Sequence, residues 1–152
     1  MKLVPGYRRM QGIVTRRDDQ RFEALETPSQ IVETAMSNPA CIMVNRNSGS
    51  GTRLFIDGLL GGQQPAGYAV QTKSHNAVAT SVAQGRADWG VAIDTVARLY
   101  GLSFMPIQEE HYDFVIPASR WDNAGVQQFV ALLHEPRIQA GLRDLGFEPS
   151  GG

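Results

Sequence analysis

The chain holds little that would let covalent chemistry, a metal or a lipid phase organise it. Its single cysteine, Cys41, excludes an intrachain disulfide. That cysteine lies in a short apolar run, where a buried, inert thiol is expected. No apolar stretch approaches the ~18 residues of a membrane-crossing helix. The N-terminus, Met1-Lys2-Leu3-Val4-Pro5-Gly6, lacks the long apolar core of a signal peptide. A cytoplasmic protein is therefore expected, without membrane contact. Charge of one sign is also lacking: the net charge of −1 gives no electrostatic reason to expect nucleic acid. His75, His111 and His134 show no ligand spacing with cysteine or paired carboxylates, so no metal or cofactor is expected. The nucleotide-binding pattern Gly-x-x-x-x-Gly-Lys-Ser/Thr is absent.

What is present is the composition of a globular domain, 42% apolar and 19% charged over 152 residues. This length suits a single domain, 1–152, with a substantial core. Met10-Gln11-Gly12-Ile13-Val14-Thr15 reads as a first strand, and Arg16 to Arg21 as a charged turn. Thr27-Pro28 starts a helix, with a capping hydroxyl and a proline at the first helical position. Cys41 to Val44 reads as a second strand. A glycine-rich turn follows it, then a helix from about Thr52 to Leu60.

Gly67 to Thr72 reads as a third strand and Ala77 to Gln84 as a helix ended by Gly85. Trp89 to Ile93 reads as a fourth strand, and a short helix begins at Asp94 or Thr95. Phe104 to Ile107 and Tyr112 to Ile116 read as two further strands. Val126, Phe129, Val130 and Leu133 form one apolar helix face, expected to pack on the sheet. The alternation implies an α/β fold: a three-layer α/β/α arrangement around a mostly parallel sheet of about five strands.

Ligands of such sheets gather beyond the carboxyl ends of the strands. The turns at Arg46 to Thr52, Ser74 to Asn76 and Asp94 all follow strands and are expected at one edge. In Asn45-Arg46-Asn47-Ser48-Gly49-Ser50-Gly51-Thr52 a strand passes through glycines into a helix. The first N–H groups of that helix lack internal partners, and its dipole makes that end positive. A small oxyanion fits there, and Ser48, Ser50 and Thr52 add hydroxyls. The other reading is a plain turn whose serines cap the helix. Ser74-His75-Asn76 is either a second donor set or simple N-capping. No nucleophile–base pair stands out, so no enzyme is expected.

Several segments together resemble a periplasmic-binding-protein-like (type 2) domain of the kind that holds molybdate. They are Met43-Val44-Asn45-Arg46 into Gly49-Ser50-Gly51-Thr52-Arg53, Ser74-His75 with Ala77-Val78-Ala79, Gly85-Arg86-Ala87-Asp88, and Tyr112-Asp113-Phe114-Val115-Ile116-Pro117. Such domains occur at the C-terminus of some molybdopterin-biosynthesis proteins and helix-turn-helix regulators. The resemblance implies two α/β lobes with a cleft between them, of which this chain supplies one lobe and the crossing strands. A second copy or another chain would complete the cleft. It implies binding of molybdate or tungstate, for sensing or delivery in molybdenum-cofactor metabolism. The ligand residues it implies are Arg46, Ser48, Ser50, Gly51, Thr52, Ser74, His75, Asn76 and Tyr112. The turn also resembles that of phosphate-binding proteins, but Ser48 stands where those carry an acidic residue. An acid suits the proton of hydrogen phosphate and repels a full dianion, so its absence favours molybdate, tungstate or sulfate. The alternative is an interaction or oligomerisation module that keeps the fold without a ligand.

Overall fold

The computed structural model describes residues 1–150. The chain divides into two compact units, Gln11–Gln108, and Met1–Met10 together with Glu109 onward.

In Gln11–Gln108 the elements follow the capping chemistry. Asp19 caps α1 (Gln20–Glu23), so the segment expected to be only a charged turn ends in a short helix. Thr27 and Gln30 form a reciprocal capping box at the start of α2 (Pro28–Ser37), which buries Ile31, Val32 and Ala35. Next come β2 (Met43–Arg46), α3 (Gly51–Leu60), β3 (Gln71–Thr72), α4 (His75–Ala83), β4 (Trp89–Ile93) and α5 (Asp94–Leu99). The sheet order is β3-β2-β4-β1-β5, with β1 spanning Lys2–Thr15 and β5 Ser103–Ile116. β3 and β4 both run parallel to β2, while β1 runs antiparallel to β4, with Gln11 opposite Ile93 and Thr15 opposite Trp89. The core gathers Ile13, Ile31, Cys41, Met43, Ile56 and Trp89, all nearly inaccessible.

The third strand is shorter than expected because Gly67 adopts φ +89° inside a turn closed by Tyr68 N–H to Pro65 O. Ladder pairing begins only at Gln71. A Cβ on Gly67 would collide with Met43 O, so glycine also permits this turn to lie against β2.

In the other unit, β1 begins at Lys2 rather than Met10, and the two strands expected after Phe104 are one, β5. Gln108 to His111 is polar and reads as a break. The acids are matched across the ladder instead: Arg8 pairs with Glu109 at 3.5 Å and Arg9 with Glu110 at 2.6 Å. Pro106 is tolerated because β5 ends the order of strands. A sixth strand, β6 (Glu148–Pro149), pairs with Tyr7 and Arg8 of β1. Helices α6 (Ala124–Leu133) and α7 (Pro136–Asp144) bury no residue. The stripe of Val126, Phe129, Val130 and Leu133 is thus not the core face its period suggests. Phe129 meets Phe114 edge-on at 4.9 Å but remains 39% exposed.

Candidate functional site

β2 is buried along its length and carries the chain into the turn before α3. Asn45 fixes its end. Its amide donates to Tyr68 O at 3.0 Å and its Oδ1 accepts the Arg46 N–H at 2.9 Å. The parallel register places Asn45 opposite Gln71 and Arg46 opposite Thr72. The carboxyl ends of β2 and β3 therefore lie side by side, and each runs into a helix. β4 is parallel to its other neighbour, β2, and runs directly into α5. The three turns share one edge, as the βα alternation implies.

Arg46 is 9% exposed, and its Nη1 lies 3.3 Å from His75 Nδ1, in the first turn of α4. This contact joins the two helix starts. Arg53 secures the turn from behind: its Nη1 donates to Arg46 O at 2.9 Å and its Nε to Asp57 at 3.2 Å. Its guanidinium stacks on Tyr68, whose hydroxyl also donates to Asp57. Hydrogen bonding with Tyr68 and then Asp57 outweighs burial and keeps the Arg53 guanidinium protonated more firmly than usual. Arg53, Asp57, Tyr68 and Asn45 are the supports that motif reading misses. The Arg53–Asp57 spacing of four on one helix was their sequence signal.

The expected ligand residues divide by what their polar groups already do. Ser50 is the N-cap: its Oγ accepts the Arg53 N–H at 3.1 Å and donates its proton to Asn47 O at 3.0 Å. Its hydroxyl is spent inside the turn. The Ser48 N–H donates to Gln71 Oε1 at 3.3 Å, leaving its exposed hydroxyl open. The Gly51 and Thr52 N–H groups meet no protein acceptor among the described residues. The Thr52 hydroxyl makes no hydrogen bond there either, although Thr52 is only 4% exposed. At α4, Ser74 caps through the Ala77 N–H at 3.0 Å, and the exposed Asn76 side chain lies one residue beyond His75. Asp94 accepts its neighbour Thr95's N–H at 2.8 Å.

Tyr112 belongs to the other unit. Its hydroxyl accepts from Arg9 Nη2 at 2.9 Å and its ring stacks on Tyr7 at 5.4 Å. Burial raises its phenol above the ordinary value, against the pull of Arg9. Among the described residues no three His, Cys, Asp or Glu side chains gather as a metal site would require.

A conserved-pattern match to the PBP superfamily domain spans residues 1–134. Protein YvgK of Bacillus subtilis (strain 168) is 37% identical over 79 residues, which cover 49% of this chain and 26% of that protein. The chain thus spans about a quarter of the length of that curated relative. Among solved structures, it is similar to an ABC-type phosphate transport receptor from Vibrio cholerae. The TM-score is 0.62 at 15% identity, over 97% of this chain and 72% of the receptor. It is also similar to AncCDT-1, an ancestral amino acid-binding protein and precursor of cyclohexadienyl dehydratase. There the TM-score is 0.63 at 16% identity, over 97% of this chain and 62% of the other. With the sheet order, the parallel β2–β3–β4 core and the matched span in agreement, the chain belongs to the periplasmic-binding-protein (PBP) superfamily.

Proposed function

We propose that the Arg46–Thr52 turn binds a small tetrahedral oxyanion, molybdate or tungstate, and serves its sensing or delivery. One observation carries this reading. Two N–H groups, of Gly51 and Thr52, and the hydroxyl of the nearly buried Thr52 have no protein partner among the described residues, at the positive end of a ten-residue helix. The buried Arg46 guanidinium adds positive charge at the same edge, beside the start of α4. Ser48 supplies a donor where an acid would repel a dianion. The similarity to a phosphate receptor supports an oxyanion as the ligand class, while the serine favours one without a proton. Ser74, His75 and Asn76 form the second rim of the site. The role is binding, with no bond made or broken.

The test is thermal denaturation with molybdate, tungstate, sulfate or phosphate at millimolar concentration. Molybdate and tungstate should raise the melting temperature most, by ligand linkage to the folded state. A chain indifferent to all four would contradict the proposal and leave the fold as an interaction module.

A further inference from the structure

We propose that Gln11–Gln108 carries a second ligand site, for a small organic monocarboxylate with an apolar body, at the strand ends opposite the oxyanion turn. It is a cavity of about 250 Å³. Engineered apolar cavities of about 150 Å³ take up benzene, so this one accommodates a ring together with a carboxylate. Its apolar lining includes Ile13, Phe22, Ile31 and Met105. The first three are at most 7% exposed, so the floor is preformed.

Two polar groups give the cavity its chemistry. Thr15 follows Ile13 by two residues on β1 and therefore points to the same face. It is 6% exposed, yet its hydroxyl makes no hydrogen bond among the described residues. Arg17 lines the rim, exposed, with no ion pair among the described residues. The neighbouring cations differ. Arg16 is held by Asp88 at 2.7 Å, and Arg21 by Asp19 at 2.7 Å. Arg17 is thus the rim cation left to meet a carboxylate, with Thr15 as an inner hydroxyl partner. Glu23 also lines the rim, and so do Arg16 and Asp19, which are already ion-paired with Asp88 and Arg21. One uncommitted cation beside one carboxylate disfavours a dianion, which separates this site chemically from the oxyanion turn.

The experiment uses benzoate as the probe, followed by methyl NMR on the whole chain. The Met105 and Ile31 methyl signals should shift and saturate, and a prior saturating dose of molybdate should leave the titration unchanged. Neutral benzamide should bind more weakly than benzoate. Arg17→Ala removes an exposed side chain and should weaken benzoate roughly tenfold or more, the loss of one charge-assisted contact. Thr15→Val, an isosteric change, should weaken it less. The proposal is overturned if those methyls do not move, or if the shifts fall at Val78 and Thr52 instead. It is equally overturned if benzamide matches benzoate and Arg17→Ala changes nothing.

Discussion

The two ends of the strands in Gln11–Gln108 treat arginine in opposite ways. At one end Arg16 donates to Val82 O and Ala87 O, at and just beyond the last turn of α4, at 2.8 and 2.7 Å. It also meets Asp88, which holds Arg21 at 2.8 Å and accepts the Ile42 N–H at 2.8 Å. Arg16, Arg21, Asp19 and Asp88 there answer one another's charge from within the protein. At the other end Arg46 lies beside the beginnings of α3 and α4, among N–H donors. A helix offers unfilled acceptors where it ends and unfilled donors where it begins. Arginine at the first is a clamp. Arginine at the second joins other donors, and the proposed oxyanion is the kind of group that answers the open N–H groups of Gly51 and Thr52.

The largest effect should come from breaking the clamp. Arg16→Ala leaves two carbonyls without their donor and Asp88 with one guanidinium instead of two, and should cost about 3 kcal/mol in chemical denaturation. The same change should leave molybdate affinity nearly unaltered, because it acts at the opposite end.

A smaller effect is expected from acid. Hydrogen bonding with Arg21 holds the Asp19 carboxyl below the usual range. Burial alone would raise Asp88, but the Ile42 N–H, Arg16 and Arg21 together hold it low as well. Depressed carboxyl values mean that the unfolded chain takes up these protons first. The stability they contribute is present above the ordinary carboxyl pKa and is lost as pH falls through the folded values. Urea midpoints measured from pH 6 to pH 3 should fall more steeply for the wild type than for Asp88→Asn. Parallel slopes would remove the clamp from the account.

At the other end the effects should separate by the role of each hydroxyl. Ser50→Ala removes a cap and should cost about 1 kcal/mol of stability with little change in affinity. Thr52→Ala should do the reverse, weakening molybdate several-fold in calorimetry with a small stability change.

Much of this edge was legible in the sequence. Strand, glycine-rich turn and helix followed one another from Met43 to Leu60, and Ser50 and Ser74 are the caps their residue type suggests. What local reading missed were features decided by distant partners. Gln108 to His111 reads as a break because Arg8 and Arg9, which pair with Glu109 and Glu110, are a hundred residues away. Gly67-Tyr68 looked extended because a run of such residues does not reveal a positive φ. The apolar period of α6 promised a core, but periodicity describes only the helix and not what covers it. The Ser50 hydroxyl shows the same limit on a finer scale. A serine in a turn announces a polar contact, and only the geometry reveals that Asn47 already takes its proton.

Gly51→Pro tests the central claim most directly. Gly51 is the first residue of α3, where proline is favoured, and a Cβ there meets nothing within 4 Å. Ser50, at φ −77° and ψ 149°, already has the extended conformation that precedes proline. The substitution therefore deletes one N–H donor and preserves the helix. Isothermal titration with molybdate should show affinity reduced roughly tenfold, with a melting temperature equal to or above that of the wild type. Unchanged molybdate affinity in this folded variant would contradict the account.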